Sequence, residues 1–197
     1  TAVGVTQSGT FGLSLDDAAH IMRILRDTLY TDKPLAVLRE YSANAWDAHR
    51  EGGKGRVPIQ VHIPTSMDPT LRIRDFGPGL SPDDVFNVYT KYGRSTKRGT
   101  DVAVGMLGIG SKSGFAYSDA FTVTSWWGGL KRVYTAVLDE SDEGRIDLMH
   151  EESCDPNDTG IEISLAVRSH DVWEFQHKAQ RLFRYFDPVP DINIATT

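Results

Sequence analysis

Apolar residues recur along this chain with two different periods, and the order of those periods sketches an architecture. Ile21, Ile24, Leu25 and Thr28 repeat at helical spacing behind Ser14 and Asp17, which resemble a capping box, so a first helix is predicted over residues 15–29. Pro34 opens a second segment, residues 35–50, that contains no helix breaker and runs into Gly52-Gly53; proline at the start and glycine past the end mark a helix. Strand-like alternation takes over at 57–63 and 71–74, with Pro64 and Asp68-Pro69 punctuating the connection. Ser81-Pro82-Asp83-Asp84 reads as the N-cap, N1 proline and acidic first turn of a short helix. From Tyr92 to Gly110 glycines interrupt any period, and the stretch is predicted to be mobile. Residues 121–127 and 130–138 flank Gly128-Gly129 as a β-hairpin, and further strands are predicted near 145–149 and 160–167. Val172, Phe175, Ala179, Leu182 and Phe186 lie on one stripe of a closing helix. Early helices, a run of strands and a last helix predict an α+β fold, with helices on one face of a mostly antiparallel sheet.

Composition narrows the class. At 197 residues the chain makes one domain, 1–197, and its 40% hydrophobic and 24% charged residues suit a soluble globular fold. A net charge of -6 leaves no basic field to hold a nucleic-acid backbone; the basic cluster Lys91, Arg94, Lys97 and Arg98 reads as a solvated loop. Cys154 alone allows neither an internal disulfide nor a multi-cysteine metal site and suits a reducing compartment. No stretch approaches the ~20 apolar residues of a membrane span, and Thr1-Ala2-Val3 opens without a signal-peptide pattern. This domain therefore carries no direct nucleic-acid or membrane signal.

Three groups of residues suggest chemistry. Glu40, Asn44, Asp47 and Glu51 fall along one face of the second helix. Asn44 can offer an oxygen to a metal while Glu40 polarises a water beside it; spacing alone fits a solvated polar face far better. In Arg74-Asp75-Phe76-Gly77-Pro78-Gly79 an acid ends a strand and two glycines follow, so the acid can accept from an exocyclic amine while the backbone approaches a ring; the same string also makes an ordinary turn. Gly105, Met106, Leu107, Gly108, Ile109, Gly110, Ser111 and Lys112 offer consecutive N–H groups to phosphate oxygens at a helix start. Ser111 stands between Gly110 and Lys112, so the segment is not a Walker P-loop, and Gly114 falls one place late for a dinucleotide fingerprint.

In order, Glu40-x-x-x-Asn44-Ala45-x-Asp47-Ala48, Asp75-x-Gly77-x-Gly79, Gly105-x-x-Gly108-x-Gly110 and Asp158-Thr159-Gly160 resemble the four boxes of the GHKL ATPases, which include gyrase, MutL, heat-shock chaperones and histidine kinases. The resemblance spans nearly the whole chain. It implies a two-layer α/β sandwich of the Bergerat type, with ATP between helices and sheet under a flexible lid at 92–110. Within that class, residues 74–79, 107–113 with 115–119, and 159–163 look like the N-terminal domain of the bacteriophage rIIA-like lysis-inhibition proteins. That narrower likeness implies the host cytoplasm.

Box by box, the resemblance makes Glu40 the general base and Asn44 the protein ligand of magnesium, which holds few protein oxygens and keeps its waters. Asp47 would support the site. Asp75 would accept from the adenine amino group together with Thr159, and Gly77 and Gly79 would give backbone access. Ala48, Leu80 and Ile163 would form an apolar wall or plain core. Gly105 to Gly110 would wrap the β- and γ-phosphates. Two readings stand for Lys112, a phosphate contact and a surface lysine at a helix start; Lys97 likewise reaches the triphosphate or faces solvent. The resemblance further implies slow hydrolysis, since gyrase-like relatives receive a lysine from a following domain. It also implies a homodimer on ATP binding, with residues 1–13 as an exchanged strap or a frayed end. A kinase of the same fold and a non-catalytic, ATP-dependent module gripping a phage or host protein are the competing expectations.

Overall fold

The structure, a computed structural model, describes residues 31–90, 110–140 and 144–194 and the backbone of 7–10. The helix predicted over 15–29 and the lid residues 92–109 lie outside the described residues. Helix α1, Lys33–Glu51, begins where expected: Asp32 Oδ1 accepts the Leu35 N–H at 3.0 Å, Pro34 occupies the first turn, and Gly52 ends the helix. Val37, Leu38, Tyr41, Ser42, Ala45 and His49 recur three or four apart and bury one stripe of α1.

Eight strands among the described residues form one sheet. They are β1 (Gln7–Thr10), β2 (Gln60–His62), β3 (Thr70–Arg74), β4 (Ala120–Trp127), β5 (Leu130–Leu138), β6 (Gly144–Ser153), β7 (Gly160–Ala166) and β8 (Asp191–Ile192). The order is β1-β6-β5-β4-β7-β3-β2-β8, antiparallel at every pairing except β2 with β8. Helix α2 (Pro82–Thr90), a single helical turn α3 (Gly114–Tyr117) and helix α4 (Val172–Phe183) complete the elements that position the site. Helix α1 packs against α3, α4, β3 and β7. Ile73, Val123, Tyr134, Ile146, Ile163 and Phe175 belong to the core cluster that joins sheet and helices. The fold is α+β.

The hairpin of β4 and β5 forms as predicted, with Trp127 paired to Leu130 and both Gly128 and Gly129 left-handed, as a two-residue turn that follows the sheet's twist requires. Other expectations shift. The strand read at 57–63 shrinks to β2, because the Val57 N–H turns back to the Lys54 carbonyl at 2.8 Å and Pro58 follows. Strand β6 runs to Ser153, past the predicted 149. The register slips between Val133 and Tyr134, leaving Met149 without an opposite residue, and Met149 to Ser153 are all exposed. Helix α4 ends at Phe183, and Phe186 continues its apolar stripe from outside by an edge contact with the Phe183 ring.

Candidate nucleotide site

Helix α1 carries one half of the site. Glu40 is partly buried, and its Oε1 accepts from Arg39 Nε at 3.3 Å and Nη2 at 3.1 Å. Its Oε2 faces Gly110: a Cβ built there would stand 2.9 Å from this oxygen and 3.9 Å from Asn44 Nδ2. Glu40, exposed Asn44 and Gly110 therefore surround one small gap that a single methyl group would fill. Asp47 and Ala48 follow, part-buried, on the next turn. A cation between Glu40, Asn44 and a phosphate would find hard oxygen donors here, since an amide can turn its oxygen inward. Among the described residues no group of three His, Cys, Asp or Glu side chains could hold a metal.

The other half lies two turns further along α1. A Cβ on Gly77 would come 2.9 Å from Ala48 Cβ and 3.0 Å from Asp75 Oδ1, which brings the loop after β3 against the helix. Asp75 is 5% exposed. Its Oδ1 accepts the Gly77 N–H at 2.8 Å and the Ile161 N–H at 3.2 Å. Burial raises its pKa to about 6, and the two N–H donors only partly oppose that rise. Among the described residues no donor is bound to Oδ2, the oxygen left to meet a ligand. Thr159 joins the loop by donating from Oγ1 to the Phe76 carbonyl at 3.5 Å. Arg74 draws this part of the chain in, pairing with Asp158 at 2.8 Å while its guanidinium lies 3.3 Å from the centre of the Trp126 ring. Leu80 is held by Ser125 Oγ, which accepts its N–H at 3.1 Å and donates to its carbonyl at 2.7 Å.

Of the glycine segment, Gly105, Met106, Leu107, Gly108 and Ile109 lie outside the described residues, as does Lys97. Gly110, Ser111 and Lys112 form one tight 3₁₀ turn ahead of α3. Lys112 is not a surface lysine. Its side chain is fully buried, and the ammonium donates to the Val88 carbonyl at 2.9 Å. Desolvation pulls its pKa down to about 7. The charge that hinted at an anion at a helix start thus meets the carbonyl end of α2, where a cation is favoured.

Two residues that organise the site were read in the sequence as neither ligand nor catalyst. Tyr41 accepts the Gly114 N–H at 2.8 Å and donates to the Ser111 carbonyl at 3.2 Å, which fixes the turn opposite Glu40. His49 bonds Phe76 and Val57 from the buried side of the helix. Both lie on the apolar stripe, where periodicity alone makes them core.

A protein-family model described as histidine kinase-, DNA gyrase B- and HSP90-like ATPase matches residues 33–162. The chain belongs to this family, and the match runs from the start of α1 to the strand that follows Thr159. ATP binding is expected of such a domain. The search of curated proteins found no match. Among the described residues no helix is long and apolar enough to cross a membrane.

Proposed function

We propose that the chain binds ATP with magnesium and hydrolyses it slowly. One observation supports this above the rest: a single face of α1 meets Gly110 at Glu40 and Asn44 and meets the Asp75–Gly77 loop at Ala48. The eight steps from Glu40 to Ala48 rise about 12 Å along the helix, suited to an extended nucleotide with its purine at Asp75 and its phosphates toward Gly110. Magnesium would neutralise phosphate charge; Glu40 would orient and deprotonate the attacking water through Oε2, and Asn44 would hold the cation. Asp75 Oδ2 would accept from the adenine amino group, and Thr159 would line the same end. Guanine presents an acceptor at that position, so ATP is the expected nucleotide.

The Arg39–Glu40 pair, in which the carboxylate is already engaged by a cation, keeps a second reading alive, that of an ATP-dependent module without turnover. Arg39 takes up Glu40 Oε1 at 3.1 Å, which leaves Oε2 as the oxygen toward Gly110. Binding of ATP and GTP with and without magnesium, together with turnover of the wild type and Glu40→Ala, tests both readings. An ATPase loses turnover in the variant and keeps binding. A wild type that shows no magnesium-dependent preference for ATP removes the whole assignment.

Lid closure over 92–110 and ATP-driven dimerisation belong to the same proposal. Residues 7–10, inside the segment read as a strap or a frayed end, form edge strand β1 on β6. A four-residue edge strand is a segment that two copies can exchange. Light scattering that detects only monomer with a non-hydrolysable ATP analogue would count against it. The likeness to phage rIIA-like proteins, with a phage or host partner in the host cytoplasm, rests on the quoted strings alone.

A further inference from the structure

His49 leaves the last turns of α1 on its buried side and is 1% exposed. Its Nε2 lies 2.7 Å from the Phe76 backbone nitrogen. An amide N–H only donates, so Nε2 is the acceptor; the ring proton therefore sits on Nδ1, which donates to the Val57 carbonyl at 2.8 Å. One tautomer satisfies both neighbours. The next peptide unit is held as well, for Lys54 Nζ donates to the Phe76 carbonyl at 2.6 Å. These two peptide units lie between Asp75, whose carboxylate is to meet the purine, and Gly77, whose N–H steadies that carboxylate. The end of α1 touches the loop directly: a Cβ on Gly52 would come 3.4 Å from Pro78 Cδ and 3.6 Å from Gly77 Cα.

We propose that His49 is the positioning residue of the purine loop. Through its bond to the Phe76 N–H it fixes Asp75 relative to the helix that carries Glu40 and Asn44. It thereby sets both the affinity for the nucleotide and the preference for adenine over guanine. The inference rests on the nucleotide reading for its consequence, while the anchoring itself is measurable without ligand. A packing residue would need only volume at this point. His49 instead supplies an acceptor on one side and a donor on the other, and leaving the part-buried Phe76 N–H without its acceptor carries a desolvation cost, that of an unmade hydrogen bond.

The experiment compares His49→Leu, which removes the acceptor, with His49→Gln, whose side-chain oxygen can replace it. Without ligand, the Leu variant is expected to lose hydrogen-exchange protection at the Phe76 and Gly77 amides, and the Gln variant to keep most of it. With magnesium and ATP, KM in the Leu variant should rise about tenfold with kcat nearly unchanged, the ratio of ATP to GTP affinity should narrow, and Gln should restore both. Equal loss of thermal stability in both variants, with exchange, KM and the ATP-to-GTP ratio unmoved, overturns the proposal. If the Leu variant does not fold, the nitrogen-15 shifts of His49 in the wild type decide: a proton on Nδ1 and a bare Nε2 support the anchor, and the reverse tautomer refutes it. Protected amides in a wild type that binds no ATP would leave the anchor standing and remove the nucleotide reading alone.

Discussion

Asp75 concentrates the competing demands of the site in one carboxylate. Burial raises its pKa to about 6 from the ordinary value of 3.8. Because Oδ1 is occupied by the Gly77 and Ile161 N–H groups, the proton gained on acidification belongs on Oδ2, which then donates where adenine needs an acceptor. ATP affinity is therefore expected to weaken as pH falls through about 6, in a titration of dissociation constants from pH 8 to 5. The effect on folding runs the other way. A carboxyl with a raised pKa in the folded state contributes stability that is fully present below 3.8 and is lost as pH rises through about 6, so acid harms the ligand without harming the fold through this group. Asp75→Asn separates the two roles. Its amide oxygen still accepts both backbone N–H groups, while its NH₂ opposes the adenine amino group. Binding should fall at least tenfold, the pH dependence of binding should vanish, and a thermal melt at pH 7 should show the fold retained.

At the scale of elements, the site is a seam where a helix end, two strand ends and their loops meet through glycines. Gly79 has a φ of +73°, and a Cβ there would lie 2.2 Å from the Trp126 carbonyl oxygen, so the loop after β3 can pass β4 only with no side chain. Gly128 has a φ of +64° with nothing within 4 Å of such a Cβ. Gly128→Ala should therefore cost only the left-handed strain, about 1 kcal/mol. Gly79→Ala must also displace backbone and should cost ~3 kcal/mol or more in urea unfolding, with loss of ATP binding. Smaller losses for Gly79→Ala than for Gly128→Ala would contradict this account. The same seam explains what the sequence displayed and what it hid. The bounds of α1 were legible because Pro34 and Gly52 act within a few residues of themselves, and the β4–β5 hairpin because its turn is local. Asp75, Gly77 and Gly79 could be singled out only by their place in the ordered set of boxes, since the string by itself also makes an ordinary turn. The slip at Met149, the short β8 and the anchoring by Tyr41 and His49 depend on partners far along the chain. No local period encodes a hydroxyl that reaches residue 114 or a ring that reaches residue 76.

Across the whole molecule, the helical layer is tied to the glycine segment by a buried charge. Lys112 follows the last described glycine of that segment and donates to the carbonyl of Val88 near the end of α2, so the segments on either side of the lid residues meet at this ammonium. Its pKa, lowered by burial to about 7 from 10.5, shows that the fold tolerates the cation less well than water does. Between pH 7 and 10.5 the unfolded chain binds more protons at this group than the folded one, so the contribution of Lys112 to stability rises with pH across that window and is flat below about 7. Lys112→Met removes the titration and keeps most of the volume. The difference in melting temperature, variant minus wild type, should decline steadily from pH 7 to pH 10, because the wild type gains stability over that range and the variant lacks this source of it. The neutral amine still donates to Val88, so the hydrogen bond persists in the wild type while the desolvation cost disappears. A difference that grows with pH would mean that the ammonium is stabilised in the fold, as an anion beside it would do. That outcome would return Lys112 to the phosphate-contact reading.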